Sequence, residues 1–340
     1  MDITIFDFEL PPKYIAQEPL EKREDCRLMV LDKKDGVIKH KKFFQIIELL
    51  SPGDLLVLND SKVVPARLFG SKKESGGKIE VLLINPISDN CWQALLKPGR
   101  KAPPGTEIVF SEQLSAIVLN KDEEQGIFLL EMEAEGDIQE ILHRIGNIPT
   151  PPYIKKNLKN PDSYQTVYAR NEGSVAAPTA GIHFTEELLS EIKKKGIDII
   201  YLTLHIGRGT FELVKAYQVE EHKMKEELYT ITLENSKTIN KAFLEKRKII
   251  GVGTSVTRAL ESAFINNRVS EGTRWTNLFI YPGYHYKVIN ALITNFHLPR
   301  STPLMLAAAF AGKDFLFKAY YEAIREGYRF YSFGDAMFIQ

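Results

Sequence analysis

Between Val63 and Glu133 the chain runs as short β-branched segments, GKIEVLLI, CWQALLK, TEIVF, SAIVLN and GIFLLEME, parted by turn clusters such as NPISDN and KPGRKAPPG. Strands of that length and spacing predict a small antiparallel barrel or sandwich. On either side the period changes. RLMVL and DLLVLN come before the segment, and IDIIYLTL, KIIGVGT, LFIY and VINALITNF come after it, with helical stretches between them. Strands alternating with helices predict an α/β fold whose mostly parallel sheet is flanked by helices. One sheet does not accommodate both patterns. The expectation is therefore a discontinuous α/β domain over residues 1–66 and 150–340, interrupted by an inserted antiparallel β-barrel domain over residues 67–149. The proline-rich NIPTPPYI makes the return.

Helix ends are legible in places. Thr185 caps EELLSEIKKK, with Glu186 and Glu187 in the first turn, lysines in the last and Gly196 beyond. Thr302 followed by Pro303 opens LMLAAAF, which Gly312 closes.

Lys plus Arg and Asp plus Glu both total 44 in 340 residues, so any attraction to nucleic acid has to come from a local patch. The densest basic turn in the barrel segment is KPGRK, where Lys97, Arg100 and Lys101 leave a Pro-Gly turn; a solvated loop is its plainer reading. Cys26 and Cys91 are far apart, which argues against a disulfide framework or thiolate zinc site and suits a reducing cytoplasm. The acidic MDITIFDFEL lacks the basic flank and apolar run of a signal peptide, and LMLAAAFAG is too short to span a bilayer. A monomeric cytoplasmic protein without membrane or metal is expected. His183, His205, His222, His285 and His297 form no close ligand pairing, and no G-x-S-x-G elbow occurs.

Four stretches combine small residues with titratable ones. GSVAAPTAGIHFT is uncharged and carries Thr179, Gly181 and His183 just before a capped helix; it reads either as a tight crossing loop or as a wall that lets a ligand approach the backbone. LHIGRGTF places His205, Gly207 and Gly209 after a strand, where open α/β sheets bind ligands. GVGTSVTR sets Thr254 and Arg258 in the first turns of a helix, able to converge on a carboxylate or phosphate, without the spacing of a nucleotide fingerprint. TNFHLPRST crowds Asn295, His297 and Arg300 between a strand and a helix, and Asp335 follows a glycine in YSFGDAMFI. FIYPGYHYK, with Tyr281, Tyr284 and Tyr286, reads as the aromatic edge of a core, with base stacking as the alternative.

Taken in order, FDFELP, PGDLLVLNDSKVVPARL, LLKPGRK, GSVAAPTAGIHFT, LHIGRGTF, TNFHLPRSTPLMLAAAFAG and YSFGDAMFI closely resemble the S-adenosylmethionine:tRNA ribosyltransferase-isomerase family of the queuosine pathway, nearly end to end. The resemblance implies an α/β domain with an inserted barrel. It also implies transfer and isomerisation of the ribosyl part of S-adenosylmethionine onto 7-aminomethyl-7-deazaguanine at the tRNA wobble position. Epoxyqueuosine forms, and adenine and methionine leave. S-adenosylmethionine is then a ribosyl-donor substrate rather than a resident cofactor, and the partner is tRNA carrying the precursor base. An S-adenosylmethionine enzyme with another acceptor and a non-enzymatic tRNA-binding protein are the alternatives.

On this resemblance His183 is expected as base for the cofactor's 5′ carbon, with His205 or His297 assisting adenine departure. Arg258 is expected on the methionine carboxylate, and Asp335 on a ribose hydroxyl or the substrate amine. Thr179, Gly181, Gly207, Gly209, Thr254 and Asn295 are expected to face the cofactor, and Lys97, Arg100 and Lys101 the tRNA. Two positions depart from the family pattern: Arg208 stands where a small or apolar residue is usual, and Val256 and Thr257 are exchanged.

Overall fold

A computed structural model describes residues 1–156, 158–207, 209 and 213–340. The chain divides into two compact units, one of residues Met1–Lys62 and Pro151–Gln340, the other Val63–Thr150.

The larger unit is built on a nine-stranded sheet. Its order is Gly272–Thr276, Glu227–Ile231, Asp198–Leu204, Leu55–Asn59, Ile249–Val252, Ala291–Asn295, Ala336–Ile339, Arg27–Asp32 and Val37–Lys42. The four strands from Asp198–Leu204 to Ala291–Asn295 are mutually parallel. Ala336–Ile339 runs antiparallel to Ala291–Asn295 and parallel to Arg27–Asp32. The α/β expectation holds, with a sheet that is mixed at both margins. The three strands Leu55–Asn59, Ile249–Val252 and Ala291–Asn295 are buried along their whole length, as parallel strands covered on both faces are. One face packs under the helices Thr254–Ala263, Thr302–Ala311 and Lys313–Arg325, the other under Glu186–Lys194 with Phe43 and Ile46.

Thr185 caps its helix by accepting from the Leu188 N–H at 3.1 Å. The next apolar helix is capped by Ser301 rather than Thr302, its hydroxyl accepting from Leu304 N–H. That helix is buried nearly all round, so no polar stripe marked its first residue. The expected strand LFIY is irregular: Leu278–Tyr281 lies outside every strand, and the Leu278 carbonyl is taken by Arg258 Nε at 2.9 Å instead of a sheet partner. The tyrosines beside it are structural. Tyr284 Oη donates to Glu261 at 3.1 Å, and Tyr286 Oη donates to the Leu306 carbonyl at 2.7 Å.

The smaller unit is a closed barrel in the order Ile127–Ala134, Cys91–Lys97, Lys78–Pro86, Arg67–Lys72, Glu107–Ser111, Leu114–Asp122. All pairings are antiparallel. Alternate residues such as Val81, Leu83, Ala94, Val118 and Leu130 fill its interior, so it is a packed core and not a pore. Asp137 caps a helix over Ile138–Ile145 by accepting from Glu140 N–H at 2.9 Å. Lys97, Arg100 and Lys101 are all exposed, the last two on the short turn Gly99–Lys101.

Candidate active site

The carboxyl ends of the parallel strands open into a cleft. Its walls come from Pro178 to Ala180, Gly253 to Ser255, Thr294 to Leu298, and the pair Tyr153 and Tyr331. Counting its open mouth, the cleft holds about 610 Å³. A second hollow of about 400 Å³ shares Ile206, Thr254, Ser255 and Pro303 with it, and is otherwise walled mainly by Met224, Leu278, Phe279 and Ile280. The two form one bipartite space, the first compartment flanked by Tyr153 and Tyr331, the second mainly apolar but carrying the ion-paired Arg258 and Glu227 on its wall. Tyr153 and Tyr331 stand with ring centroids 4.7 Å apart, and Tyr153 Oη is 2.8 Å from Ser332 Oγ.

Of the residues expected to face a cofactor, Thr179, Thr254, Asn295 and His297 line the first compartment, and Thr254 and Arg258 the second. His297 is the one imidazole among the described lining residues. Its Nε2 sits 2.8 Å from Thr294 Oγ1, and its backbone N–H donates to Tyr320 Oη at 2.9 Å. Desolvation by the surrounding protein holds it well below the ordinary imidazole pKa, so it is neutral near pH 7.

His183 does not line the cleft. It is 3% exposed, and both ring nitrogens are engaged: Nδ1 lies 3.1 Å from Cys26 Sγ, and Nε2 lies 3.2 Å from Asn295 Nδ2. An amide Nδ2 only donates, so Nε2 is the acceptor and Nδ1 carries the proton. The same amide donates to the Tyr331 carbonyl at 3.0 Å, while Asn295 Oδ1 lies 3.3 Å from Thr179 Oγ1. The expected base is thus a buried support that fixes Asn295 in the cleft wall.

Burial lowers the His183 pKa to about 3, from an ordinary 6.5. Between those values the unfolded chain binds a proton that the folded chain does not, so the stability from this site is whole above about pH 6.5 and is lost as pH falls toward 3. In His183→Gln the urea midpoint is expected to fall less steeply between pH 7 and 4.5 than in the parent. Equal slopes would show that this histidine is not held neutral.

Arg258 is also committed. It is buried and ion-paired to Glu227, with Nε donating to the Leu278 carbonyl. Glu227 Oε1 in turn accepts from the Gly207 N–H at 2.9 Å. The guanidinium expected on a cofactor carboxylate thus lines the second hollow, with its charge already met by Glu227, which also holds the Gly207 N–H. Asp335 is not at the cleft: its oxygens accept from Arg27 N–H at 2.8 Å and Arg329 N–H at 2.7 Å, stapling two backbone segments. Gly181 faces Tyr168, whose hydroxyl would lie 2.0 Å from an added Cβ; the glycine permits that contact rather than a ligand's. Neither Gly207 nor Gly209 lines the cleft, the latter lying against Lys225. His205 faces a different hollow, with Asp60 and Thr203. Arg208 lies outside the described residues.

Sequence reasoning passed over Tyr153, Ser255, Tyr331 and Ser332 in the cleft, and Glu227 in the adjoining hollow. It also passed over Asn59 and Asp60. A polar NDS closing the apolar run LLVL was their available signal, since polar residues at the carboxyl end of a buried parallel strand face the ligand edge.

Comparison with known proteins shows the family. A family model described as queuosine biosynthesis protein matches residues 3–339. The chain belongs to that family. It is 51% identical over 340 residues to the S-adenosylmethionine:tRNA ribosyltransferase-isomerase of Halothermothrix orenii, with all of both chains covered. It is 51% identical over 342 residues to the same-named protein of Clostridium kluyveri, again with both covered fully. The crystal structure of S-adenosylmethionine tRNA ribosyltransferase from Thermotoga maritima is 40% identical, with a TM-score of 0.58, covering 99% of this chain and 100% of that one. Among the described residues of this family member, no group of three or more His, Cys, Asp or Glu side chains is placed to hold a metal, and no helix is long and apolar enough to cross a membrane.

Proposed function

We propose that this protein is a cytoplasmic, monomeric S-adenosylmethionine:tRNA ribosyltransferase-isomerase that converts 7-aminomethyl-7-deazaguanine at the wobble position into epoxyqueuosine, releasing adenine and methionine. The observation that carries the reading is the bipartite cleft with, among its described lining residues, a single imidazole, in a chain of this family. Tyr153 and Tyr331 offer ring faces to adenine, and Met224, Leu278 and Phe279 suit the methionine side chain. The helix Thr254–Ala263 has no side-chain cap at Gly253, which leaves its first N–H groups to receive the methionine carboxylate.

His297 starts neutral and so accepts a proton before it gives one. The sulfonium acidifies the 5′ carbon; that proton passes to His297 and then to the departing adenine, so one group serves both steps with the proton conserved. Thr294 and Asn295 hold the wall on which this happens.

Incubation with S-adenosylmethionine and precursor-bearing tRNA, followed by mass spectrometry of the modified base, tests the reading. Epoxyqueuosine with equimolar adenine is expected, and a methylated base or no product overturns it.

Lys97, Arg100 and Lys101 are the proposed phosphate contacts on the barrel. Changing all three to alanine is expected to reduce the slope of log affinity for tRNA against log salt by up to about 2.7, at about 0.9 per lost contact, with cofactor affinity unchanged. A filter-binding titration giving equal slopes for mutant and parent would show that this turn does not touch tRNA.

A further inference from the structure

Tyr153 and Tyr331 stand too close to sandwich a base. Their ring centroids are 4.7 Å apart at an interplanar angle of 52°, whereas a ring inserted between two others needs about 7 Å, twice the ~3.5 Å contact distance of carbon atoms. The two rings therefore make one folded wall, and its shape depends on what holds each tyrosine.

Tyr331 is held through its backbone. Its φ is +73°, a left-handed conformation that a bulky side chain adopts only where its surroundings impose it. Its N–H donates to the Phe296 carbonyl at 3.0 Å, and its carbonyl accepts from Asn295 Nδ2 and from the Gly334 N–H, each at 3.0 Å. The preceding residue, Phe330, is bound to the N-terminal segment. Its N–H donates to the Tyr14 carbonyl at 2.8 Å, its carbonyl accepts from the Ala16 N–H at 3.3 Å, and Ile15 faces it in a parallel bridge.

Tyr153 is held by the next residue of the same segment. Gln17 Nε2 donates to the Tyr153 carbonyl at 2.9 Å, and Gln17 Oε1 accepts from the Lys155 N–H at 2.9 Å. One half-buried amide thus ties the main chain on both sides of Ile154. An amide suits this place, because it carries a donor and an acceptor side by side on one rigid group. Gln17 itself is not among the described lining residues of the cleft.

Ala16 and Gln17 are consecutive, so a single stretch of chain fixes both rings. We infer that the segment Tyr14–Gln17 sets the angle between Tyr153 and Tyr331, and that Gln17 is a positioning residue for the adenine lying against them. This assignment rests on the function proposed above. Gln17 acts through the main chain of Tyr153 and selects for the base of the donor, leaving the methionine end to the second compartment.

The test is product inhibition by adenine and by methionine, measured on the parent, Gln17→Met and Ser332→Ala. Gln17→Met keeps the volume and loses both bonds. Its inhibition constant for adenine is expected to rise about tenfold, the cost of one to two net hydrogen bonds, while that for methionine stays within about twofold. Ser332→Ala removes the partner of Tyr153 Oη and frees the same ring at its other end, so a smaller shift in the same direction is expected. That variant carries the measurement if Gln17→Met fails to fold by circular dichroism. General slackening would weaken both products together and leave the ratio of the two constants unmoved. A parental ratio in folded variants overturns the assignment, as does a competent parent that adenine does not inhibit. A parent that makes no epoxyqueuosine fails the proposed function itself, whereas a competent, adenine-sensitive parent with unaltered variants fails this assignment alone.

Discussion

His297→Ala is expected to lower kcat by about 10²–10⁴-fold while leaving S-adenosylmethionine affinity within about tenfold, because a positioned proton-transfer group is lost and little binding surface goes with it. The cleft contains no second imidazole among its described lining residues to take over. His183→Ala is a telling comparison. His183 reaches the cleft only through Asn295, so its removal frees the amide to turn, and kcat should fall less than in His297→Ala. Single-turnover kinetics on folded variants separates chemistry from release. If His297→Ala turns over at the parental rate while His183→Ala does not, the assignment of the base reverts to the buried histidine.

The second large effect concerns stability. Glu227→Ala is expected to destabilise the larger unit by about 3–5 kcal/mol, since it strands a buried guanidinium whose one carboxylate partner among the described residues is Glu227. It also removes the acceptor of the Gly207 N–H. Glu227→Leu combined with Arg258→Met should restore most of the loss, because two apolar side chains of similar volume avoid both desolvation costs. Urea unfolding followed by fluorescence and by far-ultraviolet dichroism reads the change. A loss below about 1 kcal/mol in the single variant would mean that water or another group reaches Arg258.

The barrel was legible because five of its strands carry plain alternation between turn clusters. The sixth, RLFGSK, is polar and interrupted by Gly70, whose added Cβ would lie 2.7 Å from the Val109 carbonyl. Its composition reflects that close approach rather than strand propensity. The edge strand VIKHKK was hidden in the same way, since charged residues on an edge guard against further pairing. At the site, Thr179, Thr254, Asn295 and His297, which line the cleft, and Arg258, which lines the adjoining hollow, stand out in the sequence by their positions at strand and helix ends. Nothing local separates His183 from His297: each follows a run of small or polar residues at such an end. The partners that distinguish them, Cys26 for one and Thr294 for the other, depend on which way each loop turns. Glu227 sits among lysines in KMKEELYTI and looks solvated until Arg258 folds against it.

Ala336–Ile339 lies inside the sheet, between Ala291–Asn295 and the first strand, Arg27–Asp32. On the ribosome the first strand therefore waits for a partner made some 300 residues later, roughly 15–60 s at ordinary elongation rates. Until then the apolar edge of Ala291–Asn295 is bare and Tyr331, just upstream, has no fixed place against Tyr153. A nascent chain is consequently unable to hold its ligand; the edge of Arg27–Asp32 stays unpaired for most of its synthesis, and that of Ala291–Asn295 joins it over about the last 40 residues before Ala336. Holding chaperones should engage this protein late, and a shortage of them should cost yield before it costs the activity of the molecules that do fold.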